Sequence, residues 1–260
     1  MRGKTEARHA QIIALLQTEG SLRVGALSER LGVSAQTVRR DLAALHDRNI
    51  LQRRHGQATF AKHQATPLTD HQRRASENAA AKAAIARRAA RLIPNGATVF
   101  LSIGTSLTAM AGALRDHRGL TIVTNNLRAA LILEAGAHRL ILTGGELRRP
   151  EGDFADRGAF ETFEKYRADF GIYGVAGIAA DGTLLDFSSV EIEAREAIRA
   201  HARTSILIAD HSKFGRRAPA VGGQATEASH VVTDRPPGPD FAQLAERLGQ
   251  RLLFAEPETP

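Results

Sequence analysis

The densest chemistry in the chain lies in the run Leu31-Gly32-Val33-Ser34-Ala35-Gln36-Thr37-Val38-Arg39-Arg40-Asp41-Leu42. On a helix, Val38, Leu42 and Leu45 fall in one apolar stripe. Gln36 and Arg40 then lie on the opposite side, with Thr37 and Arg39 on the flanks. That side offers an amide, two guanidiniums and a hydroxyl, the groups that read base edges and grip phosphates in a DNA major groove. Gly32 permits a tight turn ahead of the helix, and Ser34 is a favourable N-cap. The pattern is that of a helix-turn-helix. Asp41 would repel phosphate; beside the apolar stripe it is expected to orient an arginine or cap a neighbouring helix. The surface reading makes Arg40→Ala costly for specific DNA binding, and Lys82→Ala, outside the motif, far less so.

A second set of residues suits an anionic small molecule. Gly104-Thr105-Ser106 follows the apolar run Thr98–Ser102 and opens the helical pattern Leu107–Leu114. Backbone N–H groups and two hydroxyls there can cradle a phosphate at a helix N-terminus. Asn125-Asn126 follows a strand at Leu120–Thr124, and Gly144-Gly145 one at Arg139–Thr143. Asp210 and Lys213 follow the core strand Ser205–Ala209. Strands alternating with helices predict a mostly parallel sheet covered on both faces, whose ligands bind beyond the carboxyl ends of the strands.

The elements that would hold the DNA-reading face are helices over 5–18, 24–31 and 34–48, then a strand near Ile50–Arg54 and a second through Ala58–Phe60. Three helices and a two-stranded ribbon make a winged helix, with Arg53, Arg54 and His55 on the wing for phosphates or a neighbouring minor groove. Residues 61–75 read as a polar linker. His55, His63 and His71 recur there every eight residues, without the carboxylate or cysteine partners a metal site needs. A helix over Ser76–Leu92 stops at Pro94-Asn95-Gly96. Beyond the first three strands come the glycine-punctuated strand Asp169–Ile178, a hairpin turn at Asp181-Gly182 leading to Leu184–Phe187, and a helix at Glu191–Ala202. The domains are thus 1–60, a winged helix-turn-helix, and 76–260, a larger α/β domain.

Charge supports two modules. The 260 residues carry a net charge of +7. Residues 1–65 hold eleven Lys+Arg against five Asp+Glu, leaving the rest near neutral. A basic module beside a neutral one fits a nucleic-acid reader joined to a sensor. The chain has no cysteine, which excludes disulfides and thiolate zinc sites and fits a reducing cytoplasm. No apolar run approaches a bilayer span, so a cytoplasmic protein without a membrane partner is expected.

Two stretches resemble DeoR-type bacterial repressors: Val33-Ser34-Ala35-Gln36-Thr37-Val38-Arg39-Arg40-Asp41-Leu42 and Arg53-Arg54-His55-Gly56-Gln57-Ala58. So do Ile103-Gly104-Thr105-Ser106, Val123-Thr124-Asn125-Asn126, Gly144–Arg148, Gly174-Val175-Ala176-Gly177-Ile178, Leu184–Phe187 and Asp210–Gly215. The resemblance runs from about residue 6 to 235. It implies a sensor fold related to sugar-phosphate isomerases and repression from double-stranded operator DNA by a homo-oligomer, a dimer or tetramer. A phosphorylated sugar or polyol such as glycerol 3-phosphate would relieve that repression. It places Gly174, Gly177, Asp186 and Arg195 in the effector site beside the residues above, and it implies no catalysis, metal or cofactor. Four positions depart from the family: Gln57 stands for glycine, Ser102 for aspartate, Ser106 for threonine and Arg195 for lysine. If the glycine at 57 served a positive φ, Gln57 would cost on the order of 1 kcal/mol. The competing reading is a sugar-phosphate isomerase with a DNA-binding headpiece, using Asp186, Glu191, Asp210 or His211 as acid or base.

Overall fold

A computed structural model describes residues 5, 8–9, 11–12, 15, 21–47, 51–54, 57–60, 67–149 and 151–255. The chain divides into two compact units, Met1–Pro67 and Leu68–Pro260.

In the first unit, β1 (Ser21–Arg23) precedes α1 (Val24–Leu31) and α2 (Ala35–Asp47); β2 (Leu51–Arg54) and β3 (Gln57–Phe60) follow. The described residues between 5 and 15 are helical. Val38, Leu42 and Leu45 of α2 pack with Ile12, Leu22 and Leu27, all buried, which is what their helical spacing predicts. The wing has three strands rather than two, in the order β1-β3-β2. β1 is three residues long, too short to show a period, and only its pairing with β3 makes it a strand. Gln57 pairs with Arg54 and Arg23 inside this sheet. The expected end of the first helix near Gly20, as well as His55 and Gly56, lies outside the described residues.

The second unit opens with α3 (Pro67–Ser76) and α4 (Ala79–Ala90). Residues 67–75, read as linker, are therefore helical. Then come β4 (Thr98–Leu101), α5 (Thr105–Leu114), β5 (Thr121–Thr124), α6 (Leu127–Leu133) and β6 (Arg139–Leu142). A hairpin, β7 (Leu147–Arg148) and β8 (Asp153–Phe154), leads to α7 (Arg157–Glu164) and β9 (Ala168–Tyr173). After them follow β10 (Gly177–Ile178), β11 (Thr183–Asp186), α8 (Ser189–Ala200), β12 (Ala202–Ile208), β13 (Ala220–Gln224), β14 (His230–Thr233), α9 (Ala242–Leu248) and β15 (Leu252–Phe254).

Seven strands form one sheet in the order β15-β14-β12-β9-β4-β5-β6, and every pair is parallel. Its strands alternate: Val99 and Leu101 enter one core with Ile85, Met110 and Leu133, while Phe100 enters another with Phe163, Ile198 and Leu244. Both faces are covered, as a parallel sheet requires. From β4 the chain winds outward through β5 and β6, then returns to β9 on the other side of β4 and winds out through β12, β14 and β15. The winding reverses between β4 and β9, and the crevice beyond their carboxyl ends is where such sheets hold ligands.

Candidate functional site

The face of α2 expected to read DNA is largely exposed. Gln36, Arg39 and Arg40 are exposed on α2 and Thr37 is half-buried. Ser34 caps the helix: its hydroxyl accepts from the Thr37 backbone N–H at 3.2 Å and shares a hydrogen bond with the Thr37 hydroxyl at 2.9 Å. Asp41 is 5% exposed and receives Arg8 Nη2 at 3.0 Å and His9 Nε2 at 3.2 Å. It therefore ties α2 to the first helical segment, as its place beside the stripe implies. Arg53 and Arg54 lie on β2 opposite Ala58 and Gln57.

The second site is a cleft at the reversal point. Ser102 to Leu107, after β4, form one wall, and Gly174, Val175 and Ala176, after β9, form the other. Gly104 holds φ 106°, a left-handed conformation that favours glycine, and no side chain caps α5 behind it. The first-turn N–H groups of α5, with the Ser106 hydroxyl, are thus without a capping partner, while the Thr105 hydroxyl donates to the Arg74 carbonyl at 3.5 Å. Lys213 and Arg216 enter from the loop after β12, Asp186 and Phe187 from the end of β11, and Glu191 from α8. Arg74 arrives from α3, and Glu151 and Asp153 from the β7–β8 hairpin.

The charges in the cleft are not equally committed. Asp153 is held by both nitrogens of Arg148, at 2.7 and 3.0 Å. Asp186 is paired with Arg195 and also accepts the Ala176 N–H at 3.0 Å. Glu191 lies 3.6 Å from Arg148, and burial, with Asp186 near, pushes its carboxyl up. Arg74 is paired with Glu151. Among the described residues none gives the Lys213 ammonium a hydrogen bond or ion pair. Burial, with Arg216, Lys82 and Arg74 nearby, pulls it down to about 8 against the opposing pull of Asp210. Arg216 stacks over the Phe187 ring, 5.4 Å from its centre.

Of the residues proposed from sequence, Gly104, Thr105, Ser106, Gly174, Asp186 and Lys213 line this cleft. The others do not, for separable reasons. Asn126 caps α6 through the Ala129 N–H at 3.1 Å, and Asn125 donates to the Phe154 carbonyl at 2.9 Å, so both anchor the β7–β8 hairpin. Gly145 lies where a Cβ would strike the Asp156 carboxylate, and Gly144 faces open space. Gly177 is packed against the Arg216 backbone, 2.1 Å from where its Cβ would stand. Arg195 is 1% exposed and is bound by Asp186 and the Gly222 carbonyl, which places it behind the cleft wall. Asp210 accepts Asn78 Nδ2 and the Ser212 N–H, both at 3.0 Å. Burial opposes its ionisation, yet the Ser212 hydroxyl and Lys213 outweigh that and lower its carboxyl.

A model of the DeoR-like helix-turn-helix domain matches residues 8–64, and one of the DeoR C-terminal sensor domain matches residues 77–235. The chain belongs to the DeoR family. Within that family it is 41% identical over 243 residues to the glycerol-3-phosphate regulon repressor of Escherichia coli, covering 93% of this chain and 95% of that one. The glycerol-3-phosphate regulon repressor of Haemophilus influenzae is 38% identical over 251 residues, 96% and 97% of the two chains. Among solved structures, ribose 5-phosphate isomerase A from Methanocaldococcus jannaschii aligns with 53% of this chain and 55% of its own, at TM-score 0.40 and 13% identity.

This DeoR-family chain is a DNA-binding transcriptional repressor and not an enzyme. Of the acids and bases weighed for an isomerase, Asp186 is paired with Arg195, Glu191 accepts the Phe187 N–H at 3.2 Å, Asp210 accepts from Asn78 and Ser212, and His211 is paired with Asp234 at 2.6 Å. Among the described residues no helix is long and apolar enough to cross a membrane, and no group of acidic and histidine side chains is placed to hold a metal. Sequence reasoning missed Arg74, Glu151, Asp153, Phe187 and Arg216 as cleft residues. Arg216 was within reach, since it directly follows the Asp210–Gly215 run.

Proposed function

We propose that the cleft between β4 and β9 is the effector site, that its ligand is a phosphorylated sugar or polyol, and that the occupied protein releases its operator. The observation that supports this most directly is the partly buried ammonium of Lys213, unpaired beside the uncapped N-terminus of α5. The phosphate is held by the N–H groups and hydroxyls of Thr105 and Ser106 and by Lys213. Ser102, Gly174 and Asp186 border the space left for hydroxyl groups. The names of the relatives make glycerol 3-phosphate the first compound to test. On the DNA side, Gln36, Thr37, Arg39 and Arg40 read the major groove, with Arg53, Arg54 and His55 on the wing. The active species is a homo-oligomer bound to two half-sites.

Titrating glycerol 3-phosphate and a panel of sugar phosphates against the full-length protein is the test. The expected result is a rise in melting temperature with one compound, by mass action, and release of operator DNA at the same concentrations. A flat response to the whole panel removes the effector site.

A further inference from the structure

We propose that Arg74 is a ligand-contacting residue of this cleft, and that a bound phosphate takes it from Glu151. The inference rests on the effector reading above and adds a residue that the sequence placed in a linker.

Arg74 belongs to α3, yet it borders the cleft at the mouth of α5. Its carbonyl accepts the Thr105 hydroxyl at 3.5 Å and the Lys82 ammonium, which fixes its backbone next to the uncapped helix end. Its charge is also felt by Lys213, whose proton affinity Arg74 lowers. The two cations therefore face one space and repel each other there. An anion between them removes the repulsion and gains a planar, two-nitrogen contact that lysine cannot make.

Glu151 is the group that must yield. Asp153 is fixed by a bidentate arginine and Asp186 by a buried one. The Arg74–Glu151 pair is more open, with the side chains 20% and 29% exposed, so breaking it strands neither charge in a dry interior. A carboxylate that holds Arg74 in the empty cleft is a competitor of the phosphate, and it lowers apparent affinity by the fraction of arginine it sequesters.

The signature of exchange is opposite signs. Glycerol 3-phosphate and, separately, inorganic phosphate are titrated calorimetrically into the full-length wild type, Glu151→Gln, Arg74→Gln and Lys213→Met. Glu151→Gln is expected to tighten binding several-fold, whereas Arg74→Gln weakens it about tenfold. An ion pair that serves only to hold the cleft open gives weakening from both sides, and that result overturns the proposal. Equal affinity of wild type and Arg74→Gln overturns it too. If Lys213→Met weakens binding in either of those cases, the effector site stands without Arg74. If the wild type binds neither probe, site and proposal fall together. Glu151→Ala repeats the test should the glutamine variant not fold.

Discussion

Lys213, the residue proposed to meet the phosphate, also strains the fold. Burial and the charges of Arg216, Lys82 and Arg74 hold its ammonium at about 8, against an ordinary value of 10.5. The folded chain therefore gives up a proton that the unfolded chain keeps, and stability rises with pH across that interval. Below it, the buried charge costs on the order of 2 kcal/mol. Lys213→Met is expected to raise the melting temperature of the empty protein at pH 7 by roughly 5 °C while abolishing its response to phosphate esters. Scanning calorimetry with and without ligand checks both halves; a less stable empty variant contradicts the account. In the wild type, affinity for the anion should fall as pH rises through about 8, because the ammonium is what the phosphate meets. Two glycines named from sequence separate in the same way. Gly177→Ala sets a Cβ against the Arg216 carbonyl and should cost about 2 kcal/mol, with Arg216 displaced; Gly144→Ala, facing open space, should stay within about 0.5 kcal/mol. Melting curves of the pair decide whether these positions are steric or neutral.

At the scale of elements, what was legible followed periodicity. The spacing of Val38, Leu42 and Leu45 gives α2, and the apolar runs at 98–102, 120–124, 139–143 and 205–209 give four strands of the main sheet. Position along the chain also led to the Gly104-Thr105-Ser106 turn, since a glycine and two hydroxyls between strand and helix are visible without coordinates. The register of the sheet was not visible. The ends of β5 and β6 resemble the end of β4 in sequence, yet they lie one and two strands from the reversal point, and the end of β5 is occupied by the hairpin that Asn125 and Asn126 anchor. α3 escaped notice because its ten residues, PLTDHQRRAS, carry no apolar stripe; only Pro67 at the first helical position signals it. Lys82 packs against this helix. It is 4% exposed, with its ammonium on the Arg74 and Glu77 carbonyls, so it is no neutral surface comparison for Arg40. Arg40→Ala should weaken operator binding by about 1–3 kcal/mol and leave the melting temperature unchanged, because Arg40 stands exposed on α2. Lys82→Ala should lower the melting temperature by several degrees by removing the hydrogen bonds to the Arg74 and Glu77 carbonyls. A gel-shift titration and a melt on each variant check the crossover; a stable Lys82→Ala would mean that the α3–α4 turn does not depend on its ammonium.

For the whole molecule, charge and ligand chemistry are divided between the two units. The first 65 residues hold nearly all the excess positive charge, whereas the rest of the chain is almost balanced and sets Arg74, Lys213 and Arg216 in a cleft among carboxylates. Operator binding should therefore fall steeply as salt rises, since each neutralised phosphate releases a counterion. Effector binding, with one anion in a partly buried site, should depend on salt far less. The two equilibria are also bound by linkage. If a phosphate ester weakens operator affinity by some factor, the operator must weaken affinity for that ester by the same factor, typically five- to 150-fold. Measuring ester affinity on the free protein and on the operator complex, at one salt concentration, is the decisive comparison. Equal affinities would mean that cleft and recognition helix are independent, and that the ester removes the protein from DNA by salt-like screening alone. Unequal affinities that fail to match the operator factor would point to a third state, such as a change of assembly, between the two.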